Sequence, residues 1–499
     1  MIYKNKINFS VEAPRQVKKE GVVVIPFAQE KDIFSKHAFL YLPERMREFL
    51  KKTIPLVKIQ KSHFFDTPDG SVMCVSMEKD ITSRKWFVLI RTILQTLKTS
   101  KKSSAVIFLD DFYIADFSIF ECARQIATNM VLSDFDFSRE FKEIPKEGWH
   151  DIKKITLFAK DKKTQDAVKQ GIIIGEETNR ARYLSNLPGG EVTPATLISV
   201  AKEIAKFSKV KLIVLDEKKL KAEGAGGILG VARGSKEKPY LCALEYRSDP
   251  KLPEVHLVGK GVTFDTGGLH VKPGDSMNDM YLDMSGGASV LSAVALFARL
   301  QIPANIVALV PAVENMVSGE SYRPGDILKT ISGKTIEVGS PDAEGRIIVA
   351  DAIDYGKKHF NPRAIIEFST LTGAVMAALG TKASGLFTSD ERLVPPLYSA
   401  AEKAGDYAWH LPLWDEYAED IKSHVADIWN VGKSRYGGAM HGAQFLWEFA
   451  KPIPFVHFDI APRMVTDGAD GLQKGSLGYG VKLLFELFSN FGQFKKIIS

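Results

Sequence analysis

Seven of the charged side chains between Val258 and Arg346 fall in two short stretches at positions that could do chemistry. Lys260, Asp265, Lys272 and Asp283 lie in VGKGVTFDTGGLHVKPGDSMNDMYLDMSGG, and Asp342, Glu344 and Arg346 lie in GSPDAEGRIIVADAIDYGKK. The first stretch continues the apolar run EVHLV directly. Open α/β sheets place their sites just beyond the carboxyl ends of such strands. Gly261, Gly267, Gly268 and Gly274 let the backbone turn sharply there and approach another group closely. Charge beside buried strands is costly unless it is partnered. Asp265, Asp283, Asp342 and Glu344 all fall at predicted strand or helix boundaries, and four carboxylates in one place repel. Two divalent cations would balance them, and a pair of ions about 3.5–4 Å apart needs such bridging carboxylates. On an extended turn Asp342 and Glu344 point the same way. The helix that follows shows a polar stripe at Asp351, Asp354 and Lys358, with apolar residues on most other positions. It is therefore expected to be mostly buried, with a fixed start that favours acidic groups and bound anions.

Taken singly, each of these residues has a plainer explanation. Asp283 suits a helix cap, Asp342 an N-cap and Glu344 a first-turn acid. Lys260 and Lys272 alone would be surface lysines. Asp275 and Asp326 lie in PGD turns and are read as turn residues. Only the set as a whole resists a structural explanation. The ten histidines show no H-E-x-x-H spacing, so His256, His270, His359, His410, His424, His441 and His457 are read as hydrogen-bonding or core residues.

A chain of 499 residues is too long for one ordinary domain. In the front part GVVVIPFA, AVIFL and ITLFA read as strands. KWFVLIRTILQTLKTSKK and FSIFECARQIATNMVL read as helices, the first with a basic C-terminal end that suits the helix dipole. This predicts a small N-terminal α/β domain over residues 1–163, whose aromatics fill its core. A connecting helix follows over 164–185. Beyond it EVHLVG, ANIVALVP and AIIEFS read as buried strands, and GGASVLSAVALFARL and GRIIVADAIDYGKK as helices. Residues 186–499 are thus expected to form a larger catalytic α/β domain with a mixed, largely parallel central sheet flanked by helices. The three cysteines are odd in number and far apart, which argues against a disulfide framework and fits a reducing cytoplasm. The opening residues lack a secretory signal, and no apolar run approaches the roughly 20 residues of a membrane span. Residues 1–165 hold 29 Lys+Arg against 21 Asp+Glu, within a chain whose net charge is +6. Such an excess attracts polyanions, but a solvated lysine-rich surface is the preferred reading.

The motifs VGKGVTFDTGGLHVKPGD, YLDMSGGASV and PDAEGRI closely resemble the leucyl aminopeptidase family, the two-metal cytosol aminopeptidases. The resemblance runs from RYLSNLPGG to SLGYGVKLL and includes GGILGVARGS, STLTGA, ADIWNVG and HFDIA. It implies a metallo-exopeptidase that hydrolyses N-terminal residues, leucine and other mostly apolar ones, from peptides with a two-metal-activated water. It implies that Lys260, Asp265, Asp283 and Glu344 hold the tighter metal, and Asp265, Asp342 and Glu344 the more exchangeable one. Zinc or manganese is expected, with cobalt or magnesium as alternatives. As a ligand, Lys260 would be neutral, its pKa driven down by the metals. Lys272 would stabilise the oxyanion, and Arg346 would hold a bicarbonate ion that acts as general base. Met280, Thr370 and Gly373 would wall the side-chain pocket, and Leu371 would meet the peptide through its main chain. The resemblance further implies a cytoplasmic homohexamer and adds DNA binding through the N-terminal domain as a secondary role, since some bacterial members bind DNA.

The chain departs from the family pattern at Ser340-Pro341, where Asn-Thr is usual, at Pro462, where Gly is usual, and in the segment carrying Met440 and His441. Proline lacks an N–H and restricts its predecessor. Asp342 is therefore expected to shift slightly or to lose a supporting hydrogen bond. All seven metal and catalytic positions are intact, so activity is expected. A two-metal phosphoesterase is disfavoured by the lysine ligand and the lack of histidine ligands, and an inactive homologue by the surviving ligands.

Overall fold

A computed structural model describes residues 5–17, 21–57, 60–161 and 163–498. The chain divides into two compact units, one running up to Glu176 and including Asp467–Lys474, the other comprising Glu177–Thr466 and the chain from Gly475 onward.

The first unit is a six-stranded sheet of β1 (Asn8–Glu12), β2 (Val22–Phe27), β3 (Ser62–Thr67), β4 (Gly70–Ser76), β5 (Ser104–Phe108) and β6 (Lys154–Phe158), in the order β1-β6-β5-β2-β4-β3. All neighbours are parallel except the β3–β4 hairpin. Every residue of β2 is buried, as a strand covered on both faces requires. Helix α1 (Ser83–Thr99) is capped by Thr82 and buries Trp86, Phe87, Ile90, Ile93, Leu94 and Leu97, the three-and-four spacing of one helix face. Helix α2 (Ile119–Asp134) opens with a capping box between Ser118 and Glu121. Trp86, Phe87 and Phe117 pack ring to ring in this core, as the sequence suggests. Cys74, Cys122 and Cys242 are free and buried.

Helix α3 (Thr164–Asn186) carries the chain across the division between the units. The second unit is built on nine strands: β7 (Val210–Leu215), β8 (Tyr240–Arg247), β9 (Glu254–Gly259), β10 (Gly261–Asp265), β11 (Asn305–Asn315), β12 (Ala364–Ser369), β13 (Ser384–Thr388), β14 (Ala408–His410) and β15 (Phe455–Asp459). Their order is β14-β13-β15-β12-β9-β11-β8-β7, with β10 also beside β11. The sheet is mixed. Its centre, β15-β12-β9-β11, is parallel, while β7, β8 and β13 each run antiparallel to a neighbour. Helices α4 (Ser285–Leu300), α5 (Glu344–His359), α6 (Gly373–Leu379) and α7 (Gly438–Ala450) belong to this unit. The stretch from Gly274 through α4 is apolar enough to cross a membrane by composition, but 89% of its most apolar window is buried inside the protein, which marks a core helix. In α5 every residue from Glu344 to Gly356 is buried, so the start of that helix is held firmly, as its apolar sequence predicts.

Candidate metal centre

Lys260 is the single residue between β9 and β10, where the neighbour of β11 passes from one strand to the other. Its own N–H donates to Phe368 O (3.1 Å) and its carbonyl accepts from Gly287 N (2.7 Å), which ties the junction to β12 and α4. Its side chain lies 2.8 Å from both Asp283 and Glu344. Asp265 ends β10, and Asp342 and Glu344 flank the start of α5. One oxygen from each of Asp265, Asp342 and Glu344 lies within 4.8 Å of the others. Lys272 bridges two of them, 2.7 Å from Asp265 and 2.6 Å from Asp342. The fold thus brings together all six lysines and carboxylates that the sequence singles out. Asp342 is the open member, with 39% of its side chain exposed against 1–4% for Asp265, Asp283 and Glu344.

Two glycines leave room for this cluster. A Cβ at Gly345 would sit 2.7 Å from Lys260 Nζ, and one at Gly267, whose φ is +84°, would sit 2.8 Å from Asp342 Oδ1.

Four carboxylates face only two ammonium groups, and the imbalance shows in their acidities. Burial, then the charge of Glu344, pushes the Asp265 carboxyl up to about 6 despite Lys272 and Lys260. Burial likewise holds Asp283 well above the usual carboxylate range, and burial and Glu344 raise Asp342. For Lys260 burial works toward neutrality, but Asp283, Glu344 and Asp265 outweigh it and hold the ammonium above the usual lysine range. Lys272 is raised in the same way, with Asp265 the leading carboxylate. The protein's own groups therefore keep both lysines charged, and only added cations could make Lys260 neutral. Glu344 Oε2 is buried and has no hydrogen-bond partner among the described residues. An orphaned, buried carboxylate oxygen beside three crowded acids fits a cation ligand, because oxygens in such surroundings otherwise need donors.

Arg346 is buried and donates to Asn430 O (2.9 Å), while its Nε finds no partner. Burial lowers it to about 10. Among the described residues no carboxylate lies within ion-pair distance of it, although the charges of Glu344 and Asp459 act on it. Thr370 donates to Asp283 Oδ1 (2.5 Å), its carbonyl accepts from Lys260 (3.1 Å), and Leu371 and Gly373 follow it on the segment entering α6. Met280 is half-buried in a short 3-10 turn just before Asp283.

Three supporting residues escape a reading of the sequence. Asn315, the last residue of β11, donates to Asp265 Oδ1 (2.8 Å) and to Pro341 O (3.0 Å). Tyr322 donates to the same Pro341 carbonyl (2.6 Å). Asn430 accepts from Gly339 N (2.7 Å) and Ser340 N (3.1 Å), and donates to Ser340 O (2.7 Å). Together they hold the Ser340-Pro341 turn. Ser340 Oγ accepts from Asp342 N (3.2 Å), and the turn is held from β11, from Tyr322 and from Asn430 without needing an N–H at residue 341. Five of these histidines hydrogen-bond through their rings: His256 with Glu254, His270 with Ser340, His359 with Glu223, His441 with Asp420 and His457 with Glu367. None belongs to the acidic cluster. Asp326 is a turn residue, accepting from Arg323 N (3.0 Å).

Residues 179–485 match the model of the cytosol aminopeptidase family, catalytic domain. A probable cytosol aminopeptidase of Roseiflexus castenholzii is 40% identical over 377 residues, 74% of this chain and 77% of that one. Another, of Nitrosospira multiformis, is 39% identical over 415 residues, 82% of this chain and 79% of that one. Among solved structures, a mutant of tomato leucine aminopeptidase superposes with a TM-score of 0.86 at 29% identity, covering 98% of this chain and 97% of that one. The bottromycin maturation enzyme BotP in complex with Mn gives 0.81 at 27% identity, covering 94% and 99%.

Proposed function

The chain belongs to the cytosol aminopeptidase family and is a metal-dependent hydrolase of peptide N-termini; we propose that it releases leucine and other, mostly apolar, N-terminal residues at the cluster around Glu344. The observation that carries this reading is the crowding of four carboxylates on two lysines, with a buried Glu344 oxygen left without a donor. Lys260, Asp265, Asp283 and Glu344 would hold one divalent ion, and Asp265, Asp342 and Glu344 a second, zinc or manganese, with cobalt or magnesium as alternatives. Bound there, such ions supply Lewis acidity toward a scissile carbonyl and a water that is nucleophilic near neutral pH.

The protein's own groups do the rest. As a metal ligand Lys260 would be the neutral amine, so loading the site would release its proton. Lys272 keeps its charge and faces the developing oxyanion, where a preorganised cation in a partly desolvated site acts most strongly. Arg346 would hold a bicarbonate ion, which would supply a general base toward the attacking water. Met280, Thr370 and Gly373 wall the pocket for the first side chain, and Leu371 meets the peptide through its main chain.

The test is release of leucine from a chromogenic leucine amide. Mn²⁺ or Zn²⁺ is expected to switch the release on and a chelator to abolish it. No release with either metal, over several N-terminal residues, would sink the reading.

The resemblance also supports a cytoplasmic homohexamer. The charge excess of residues 1–165 is assigned to solvated surface, with DNA binding as a secondary role. If DNA binds, its affinity is expected to fall steeply with salt, by about one decade per decade of salt for each phosphate contacted. No salt-sensitive binding in a titration near physiological ionic strength would remove that role.

A further inference from the structure

We propose that Asp459 is a positioning residue that presets the substrate-binding segment 370–373, an inference that rests on the aminopeptidase reading above. Asp459 ends β15 inside HFDIA, is fully buried, and lies in register with Ser369, the last residue of β12. The two strands are parallel and end at one level, so its carboxylate faces the chain as it leaves β12. Oδ1 accepts from Leu371 N (3.1 Å) and from Ala461 N (3.2 Å), and Oδ2 accepts from Thr372 Oγ1 (2.7 Å). Thr372 in turn caps α6 by accepting from Val375 N (3.3 Å). One carboxylate thus ties two successive residues of the segment to the start of α6.

The peptide plane between Thr370 and Leu371 is gripped from both sides. In a trans peptide the N–H and the C=O point in opposite directions. Here the N–H of Leu371 is taken by Asp459, while the carbonyl of Thr370 is taken by Lys260. Asp459 therefore sets the tilt of the plane that joins the metal-centre lysine to the pocket wall. With its N–H taken by Asp459, Leu371 has only its carbonyl to offer a peptide through the main chain. The hydrogen bonds of Asp459 run to Leu371, Thr372 and Ala461 and not to the six charged residues of the cluster. Its charge also acts, with that of Glu344, on the buried guanidinium of Arg346.

Asp459→Ala removes all three acceptor contacts. It is expected to raise KM for a leucine amide at least tenfold, to lower kcat by less than fivefold, and to leave bound metal unchanged. Asp459→Asn keeps the acceptor for both N–H groups and is expected to bring KM back to within threefold of wild type. An unchanged KM in Asp459→Ala, or an Asn variant as impaired as the Ala variant, would overturn the proposal. If Asp459→Ala does not fold, Thr372→Val against Thr372→Ser decides. A several-fold rise in KM for Val but not Ser supports it, and equal KM values overturn it. A wild-type protein that shows no metal-dependent release would overturn the aminopeptidase reading, and this inference with it. An active wild type with insensitive variants would overturn this inference alone.

Discussion

Lys272→Ala is expected to lower kcat by about 10²- to 10³-fold, roughly 3–4 kcal/mol, which is the usual cost of losing one oxyanion-stabilising donor. Metal content is expected to stay at the wild-type level or to rise. The sign follows from the charges around it. Lys272 lies 2.7 Å from Asp265 and 2.6 Å from Asp342, so it competes with cations for those oxygens. Its removal leaves the carboxylates more negative toward a metal. Lys272→Arg is not expected to rescue, because a planar guanidinium cannot replace a compact ammonium in a pocket already closed by two carboxylates. The measurement is kcat on a leucine amide alongside metal stoichiometry by elemental analysis. Loss of both metals in Lys272→Ala would show that the lysine organises the ligands instead of acting on the substrate, and a fall of less than threefold in kcat would remove it from the reaction.

The charged members of this site were legible in the sequence because charge at the end of an apolar run has few structural explanations. Lys260 follows EVHLVG, and Glu344 opens a helix buried through its first thirteen residues. The neutral partners were not legible. Asn315 and Tyr322 lie in PAVEN and SYRPGD, whose composition suits any strand end or turn, and they matter only because β11 ends beside the 339–343 turn. Asn430 is ninety residues from the Ser340 that it holds. Such contacts are set by the order of strands in the sheet, which local periodicity does not encode. The same holds for the sheet itself. The runs at β9, β11 and β12 announce a parallel centre, whereas the antiparallel strands β7 and β8 alternate less clearly, the edge strand β7 being only partly buried. The state of Lys260 lay further out of reach, because it depends on the distances to three carboxylates and not on its neighbours in the chain.

Glu344→Gln is expected to remove metal-dependent release below detection, together with the stabilisation that metal confers. The substitution keeps the volume of a fully buried side chain and deletes one charge, so lost packing contributes little. Burial works against the charge of Glu344, yet Lys260 and Lys272 hold its carboxyl below the usual range, so it is ionised throughout the working pH. It is also the leading charge that raises Asp265. An Asp whose folded pKa is about 6 binds its proton more tightly in the native state than in the unfolded chain. Its contribution to the stability of the metal-free protein is therefore present at low pH and lost as pH rises from about 4 to about 6. Metal reverses that loss by taking the place of the protons, so in the wild type the Mn²⁺-induced rise in Tm should be larger at pH 7.5 than at pH 5.5. With Mn²⁺ at about 100 times its Kd the gain amounts to about 2.7 kcal/mol. In Glu344→Gln the rise in Tm should vanish at both pH values, and the metal-free variant should lose less stability than wild type between pH 5 and 7, because Asp265 then titrates nearer its ordinary range. A variant that keeps the wild-type Mn²⁺ shift would show that Glu344 is no ligand, and that the orphaned oxygen at the heart of the cluster has some other partner.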